Sequence, residues 1–116
     1  MQPSNKEIGE RFSKGNFSFC YDYFAENIEW KIIGNTTVRG KEDVIAYCDK
    51  MSAEIGSDTL INSNTIFENN QIAIEGNCRF VGPDGKPSEI AYCDVYRFDN
   101  SKIASITSYC IETKEA

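Results

Sequence analysis

One carboxylate lies in the middle of an apolar segment, where it could act on a bound molecule. Asp94 falls within residues 89–98, between Cys93 and Val95. Both faces of a strand with this composition are predicted to be buried, so the carboxylate must be hydrogen-bonded, neutralised or used. Because desolvation disfavours the charged form, we predict a pKa for Asp94 above the ordinary ~3.9. The residue is either an acid facing a pocket or a structural carboxylate bonded to Tyr or backbone donors.

Other kinds of catalytic group are scarce. The chain has no histidine, which excludes Ser-His and Cys-His nucleophiles. The cysteines are odd in number, widely spread and form no C-x-x-C pair, which argues against a zinc site. We expect no metal and no other cofactor. We interpret the thiols as small buried hydrophobic groups in a reducing compartment; they belong to Cys20, Cys48, Cys78, Cys93 and Cys110.

Length and charge limit the class of protein. A chain of 116 residues with ordinary composition is predicted to form a single domain over residues 1–116. The formal net charge is −6 and the basic residues are scattered, so no nucleic-acid partner is expected. No run approaches the ~20 apolar residues of a membrane span, and the N-terminal residues lack the apolar core of a signal peptide. We therefore expect a soluble, cytoplasmic protein without a membrane partner.

Three helices are predicted in the first half of the chain. Ser4 and Glu7 fit a capping box, and the helix that they start is predicted to reach about residue 14. Apolar residues at three- and four-residue intervals predict a second helix over residues 17–26 and a third over residues 41–53. The first two are expected to form a helical hairpin.

Strands account for the rest of the chain. Alternating apolar and polar residues predict a strand over residues 27–33, between the second and third helices. Four more are predicted over residues 60–68, 71–81, 89–98 and 102–112, joined by turn-forming residues. Helices followed by an antiparallel meander indicate the α+β class, with three N-terminal helices packed on one face of a curved antiparallel sheet.

The last predicted strand has no charged face. Strict alternation places Ile103, Thr107, Tyr109 and Ile111 on one side, with Ile106 and Ser108 among the residues of the other. A sheet with helices on one face and a second apolar face predicts a homodimer formed through that outer face.

Three segments carry a resemblance to a known family. These are residues 30–34 (Trp-Lys-Ile-Ile-Gly), residues 38–42 (Val-Arg-Gly-Lys-Glu) and residues 92–98 (Tyr-Cys-Asp-Val-Tyr-Arg-Phe). With the order of helices and strands, the chain resembles the nuclear transport factor 2-like superfamily, and more narrowly its SnoaL-like and ketosteroid isomerase-like branch. The resemblance implies a cystatin-like, cone-shaped domain with a deep pocket between helices and sheet, commonly dimeric through the outer sheet face.

The resemblance also implies roles for single residues. Asp94 matches the carboxylic acid that donates a hydrogen bond in the oxyanion hole of ketosteroid isomerases. The position of the isomerase's general base falls near Ile32, and that of its oxyanion tyrosine near Ile8. Neither isoleucine can take or give a proton, so this isomerase mechanism is not matched.

Two hypotheses on function follow. The first is a small-molecule pocket protein of the ketosteroid isomerase-like class, an isomerase or cyclase for a small hydrophobic substrate if it is an enzyme. Asp94 is its candidate catalytic residue; the candidate pocket lining is Trp30, Ile32, Tyr47, Tyr92, Tyr96 and Ile106. The alternative is a non-catalytic module for dimerisation or protein interaction, whose cavity is filled by side chains.

Overall fold

A computed structural model describes residues 2–54, 60–81 and 85–113. Its helices are α1 (Asn5–Ser13), α2 (Phe17–Cys20) and α3 (Lys41–Glu54), with a 3₁₀ turn at Tyr21–Tyr23. Its strands are β1 (Phe24–Ile32), β2 (Thr36–Arg39), β3 (Leu60–Glu68), β4 (Gln71–Val81), β5 (Pro87–Asp99) and β6 (Lys102–Thr113). The turn predicted over residues 82–87 lies largely outside the described residues. No helix in the described ranges is long and apolar enough to cross a membrane.

The six strands form one sheet in the order β2-β1-β6-β5-β4-β3. The α+β class with three helices on a curved sheet is confirmed. The sheet is not wholly antiparallel, however, because β1 pairs with β6 in parallel. The chain leaves β1 through β2 and α3, starts again at the opposite edge with β3, and then runs back strand by strand to β1. This return brings β6 alongside β1 in the same direction.

The inner face of the sheet and the helices enclose the core. On α1, Ile8 and Phe12 are four residues apart and so lie on one face, and both are buried. From the sheet, alternate residues such as Ile74 of β4 and Tyr96 of β5 point to the same core. The predicted cap is also present, because the Oγ of Ser4 accepts a hydrogen bond from the backbone N–H of Glu7 at 3.1 Å.

The second helix is shorter than predicted. It ends at Cys20, and Phe24 is already extended, with φ −84° and ψ 133°. Phe24 pairs with Ile103 of β6, and its ring is buried. Strand pairing with β6 therefore overrides the helical spacing of the apolar residues after Cys20. The prediction of helix up to residue 26 was wrong for this reason.

Strand β2 was not predicted. It forms a hairpin with β1 in which Trp30 is opposite Val38, and Gly40 ends it with a φ of +91°. The backbone N–H of Gly40 donates to the carbonyl oxygen of Ile28 at 2.8 Å. This hairpin fixes the strand that carries Trp30 against the start of α3.

A bulge changes the predicted sides of the last strand. The register with β5 shifts between Arg97 and Phe98, so that Arg97 is opposite Ser105 while Phe98 is opposite Ile103. As a result Ile103 is fully buried in the core with Ile106, instead of lying beside Thr107 on the outer face. Beyond the bulge the predicted alternation holds, with Ser108 buried and Tyr109 exposed.

Candidate functional site

The carboxylate of Asp94 lies on the inner face of β5 and is 8% exposed. Two serine hydroxyls donate to it, one to each oxygen. Ser108 of β6, directly opposite Asp94 in the sheet, donates to Oδ1 at 2.7 Å. Ser13, the last residue of α1, donates to Oδ2, also at 2.7 Å. Asp94 therefore joins a helix to two neighbouring strands.

Each serine has a further partner, which extends the network. The indole Nε1–H of Trp30 donates to the Oγ of Ser108 at 2.9 Å. Since this indole group can only donate, the hydroxyl hydrogen of Ser108 is left for Asp94. On the other side, the Oγ of Ser13 lies 2.5 Å from the hydroxyl oxygen of Tyr96. No described buried side-chain N or O atom lacks a hydrogen-bond partner.

Two opposing effects set the pKa of Asp94. Burial raises its pKa above the ordinary value, and this effect is larger than that of the opposing hydrogen bonds, first among them those from Ser108 and Ser13. Burial also raises the pKa of the Tyr96 hydroxyl, and the charge of Asp94 adds to the shift. The net result is a carboxyl that can take up a proton more readily than an exposed Asp.

A cavity of about 280 Å³ opens beside this network. It lies between helices and sheet, and Phe12 and Tyr47 pack edge-on against Trp30 in its wall, with ring centroids 5.1 and 5.4 Å from that of the indole. Of the described residues that line it, Asp94 alone has an ordinarily charged side chain. The lining consists of Phe12, Ser13, Phe17, Trp30, Ile32, Asn35, Tyr47, Met51, Leu60, Cys78, Ile90, Tyr92, Asp94, Ser108 and Cys110.

Tyr92 forms another part of the wall and is positioned by a glycine. Its cross-strand neighbour on β4 is Gly76, and a Cβ at Gly76 would collide with the Tyr92 hydroxyl and with the carbonyl oxygen of Ile61. The Tyr92 hydroxyl reaches across to β3 and donates to Oδ1 of Asn62 at 2.7 Å. Asn62 in turn donates to the carbonyl oxygen of Glu10 in α1 at 2.9 Å. The ring therefore lines the cavity while its hydroxyl joins β5 to Asn62 of β3, and Asn62 joins β3 to α1.

The structure brings most of the predicted lining residues together. Trp30, Ile32, Tyr47 and Tyr92 border the cavity beside Asp94. The prediction was wrong in placing Tyr96 and Ile106 there, because both side chains are fully buried in the core. Tyr96 instead reaches the network from behind, through Ser13.

Neither serine that donates to Asp94 was predicted as a site residue. Ser108 lies on the inner side of the last strand, as the alternation with Ile106 indicates, but a serine there gave no signal of a bond to Asp94. Ser13 gave no signal, because its partner is 81 residues away along the chain. The described residues contain no group of three or more His, Cys, Asp or Glu side chains that could hold a metal ion.

Comparison with known proteins identifies the family. The sequence family of the SnoaL-like domain matches residues 7–106, which is most of the chain. The chain belongs to the SnoaL-like family. A solved NTF2-like protein of unknown function from Cytophaga hutchinsonii is 48% identical to this SnoaL-like domain, with a TM-score of 0.85, over 90% of this chain and 94% of that one. No curated protein matches the chain.

More distant structures share only the fold. A protein from Jannaschia sp., provisionally called a SnoaL-like polyketide cyclase, is 12% identical, with a TM-score of 0.76, over 95% of this SnoaL-like domain and 90% of that chain. A protein from Rhodopseudomonas palustris, provisionally called an isomerase, is also 12% identical, with a TM-score of 0.70, over 95% and 91% of the two chains. At this identity neither activity transfers to the present SnoaL-like domain.

Proposed function

We propose that this SnoaL-like domain binds a small, uncharged and mainly apolar molecule in the cavity beside Asp94. The observation that carries the proposal is the cavity itself, apolar along its walls and polar where Asp94, Ser13 and Ser108 meet. Ligand sites are typically apolar concavities with a few placed polar groups. A module kept only for dimerisation or partner docking needs no such space.

Size and charge define the class of ligand. The volume of about 280 Å³ is just below the ~300–1,000 Å³ of ordinary ligand sites, which favours a compact monocyclic or bicyclic molecule. No Lys or Arg is among the described lining residues, so an anionic ligand would find no counter-charge. An oxygen atom on the ligand would find hydrogen-bonding side chains at the Asp94 end of the cavity. Elsewhere in the wall, Asn35, Tyr47 and Tyr92 carry such groups.

Binding is better supported than isomerisation or cyclisation of a substrate. Distant relatives provisionally called an isomerase and a polyketide cyclase share the fold, and a neutral Asp94 could polarise a carbonyl group. Both reactions also need a group to take a proton from carbon. The resemblance places the base of the isomerases at Ile32, which lines the cavity but cannot take a proton. It places their oxyanion tyrosine at Ile8, which is buried in the core and cannot donate one.

Calorimetric titration with matched bicyclic compounds tests the proposal. Indane and its ketone 1-indanone should bind, whereas indane-1-carboxylate should bind at least tenfold more weakly than 1-indanone. Cys110→Trp should abolish binding by filling the cavity, and Ile111→Trp, on the opposite side of the same strand, should not. If neither neutral compound binds, or if the cation of 2-aminoindane is the strongly preferred ligand, the proposal is wrong.

We also propose that the domain forms a homodimer through the outer sheet face, meaning the side away from the helices that carries Ile61, Ile66, Val95, Tyr109 and Ile111. All five side chains are large, apolar and exposed. Cross-strand register aligns Ile66, Ala73, Val95 and Thr107 in one row. An exposed apolar surface of this kind marks an interaction site, and a second copy offers a matching one. A cytoplasmic location is proposed with it, supported by the reduced thiols of Cys20, Cys48, Cys93 and Cys110.

A further inference from the structure

Ser108 is held by two partners that allow its hydroxyl only a few arrangements. A serine hydroxyl has one hydrogen to donate and two lone pairs to accept with. Trp30 uses one lone pair permanently, since an indole N–H can only donate. In the structure the hydrogen goes to Asp94 Oδ1, which is the arrangement for an ionised carboxylate.

We propose that Ser108 is the group that donates a hydrogen bond to the ligand, and that it does so when Asp94 takes up a proton from solvent. This inference rests on the proposed function of the cavity. With a proton on Oδ1, the carboxyl donates to Ser108 across the same 2.7 Å contact. Both lone pairs of Ser108 are then occupied, so its own hydrogen turns away from Asp94. Ser108 lines the cavity, and a ligand oxygen there completes the arrangement.

Ser13 is the natural comparison, because it makes the same bond to the other oxygen of Asp94. Its second partner is the Tyr96 hydroxyl, which can accept as well as donate. With the proton on Oδ1, Oδ2 is still an acceptor, so Ser13 keeps its hydrogen bond to Asp94 and its hydrogen does not turn to the cavity. The fixed indole donor is what distinguishes Ser108 from Ser13.

The ligand class follows from this coupling. A ketone, ester or other uncharged acceptor oxygen receives a hydrogen bond while Asp94 is neutral, and loses that donor when Asp94 ionises. Other titratable groups face Asp94 or the cavity from the surrounding elements: Tyr92 and Tyr96 of β5, Cys110 of β6, Cys78 of β4 and Tyr47 of α3. Burial and the charge of Asp94 raise the pKa of Tyr92, Tyr96 and Cys110, so these three stay neutral where Asp94 titrates.

The single tryptophan gives a direct readout without any ligand. We expect the one indole N–H peak in a ¹⁵N–¹H NMR spectrum to move with pH, with a midpoint above the ordinary Asp value of ~3.9. Asp94→Asn should abolish the movement. Ser108→Ala should reduce its amplitude severalfold, Ser13→Ala should keep it, and Ser108→Thr should restore it because it keeps the hydroxyl. Equal amplitudes in Ser108→Ala and Ser13→Ala would overturn the coupling.

Binding of 1-indanone and indane tests whether Ser108 donates a hydrogen bond to the ligand. Below the midpoint, Ser108→Ala should weaken 1-indanone roughly tenfold and leave indane unchanged, whereas Ser13→Ala should change the ratio of the two affinities little. Calorimetry in buffers of different ionisation enthalpy should detect proton uptake with 1-indanone above the midpoint. If both compounds bind but Ser108→Ala changes neither, the inference fails and the cavity function stands. If neither binds, the cavity function fails, and the indole titration alone decides whether Ser108 couples Trp30 to Asp94.

Discussion

The hydroxyl of Ser13, at the end of the first helix, donates to Oδ2 of Asp94 at 2.7 Å, across 81 residues of sequence. This contact joins α1 to the two strands that carry Asp94 and Ser108, at the polar end of the cavity. A change at either residue therefore affects both the packing of α1 and the protonation of the carboxyl.

Replacing Asp94 by Asn should leave the free energy of unfolding at neutral pH unchanged or raise it. The raised pKa means that folded Asp94 binds its proton at pH values where the unfolded chain has already lost it. This contribution to stability is full below the unfolded pKa of ~3.9 and is lost as pH rises through the folded pKa. Urea unfolding of both proteins across pH should show the advantage of the wild type declining over that interval. A loss of more than ~2 kcal/mol in Asp94→Asn at neutral pH would instead mark a structural carboxylate.

Gly76→Ala should destabilise the domain by about 2 kcal/mol or more. Its new Cβ would collide with the Ile61 carbonyl oxygen, which belongs to the backbone and cannot easily move, and with the Tyr92 hydroxyl. Gly9→Ala in α1 is the matched control, because the new Cβ would lie at an ordinary contact distance of 3.4 Å from Cδ1 of Ile74. That change should be neutral or stabilising by up to ~1 kcal/mol, because alanine favours helix. Similar midpoints for the two variants in thermal unfolding would contradict the packing of Tyr92 over Gly76.

Cys110 should be the thiol that reacts through the cavity. It is exposed and lines the cavity, but burial of its sulfur and the nearby Asp94 raise its pKa, so reaction with a disulfide reagent should be slow near neutral pH and accelerate above ~8.5. Bound 1-indanone should slow the reaction of Cys110 further, and Cys110→Ser should remove the reaction phase that 1-indanone slows. The buried Cys20 and Cys48, whose pKa values burial raises to about 12, should react only on unfolding.

The same reagent tests the state of all the thiols. After denaturation without reductant we expect all five cysteines of the sequence to react, because their odd number and wide spacing give no disulfide framework. A count of three or one would reveal a disulfide and contradict the proposed reducing compartment.

The homodimer should appear in light scattering at micromolar concentration as twice the chain mass of 13.1 kDa. Ile111→Lys puts a charge on the outer sheet face and should weaken dimerisation at least tenfold. Phe67→Lys is the control: Phe67 is similarly exposed but follows Ile66, so it points to the other side of β3. A monomer at all concentrations, or equal weakening by both variants, would remove the outer face as the interface.

Local pattern was sufficient for most of the fold. The bounds of α1, α3 and the strands after residue 60 follow from periodicity and turn residues within a few positions. Errors arose where distant residues decide the structure. Phe24 continues the helical spacing of α2 but pairs with Ile103, and Ile103 itself changes sides because of a bulge opposite Arg97. In both cases the residue that decides the structure lies outside the local segment on which the prediction was based.

The candidate site was predictable only in part for the same reason. A carboxylate in an apolar strand is visible in one segment of sequence, and so is Trp30 on an alternating strand. Ser13 and Ser108 are ordinary polar residues until the fold brings them to Asp94. Tyr96 has the correct alternation for the cavity, yet its ring is buried in the core, where Phe12 and Gly9 of α1 pack against it.

A crystal structure of the protein with 1-indanone tests the central claim most directly. We predict that the bicyclic ring lies in the cavity between Trp30 and Tyr92, with its carbonyl oxygen about 2.7–3.2 Å from the hydroxyl of Ser108. A cavity filled by the side chains of Phe17 and Met51, or 1-indanone bound only at the outer sheet face, would contradict the claim that this domain binds small molecules beside Asp94.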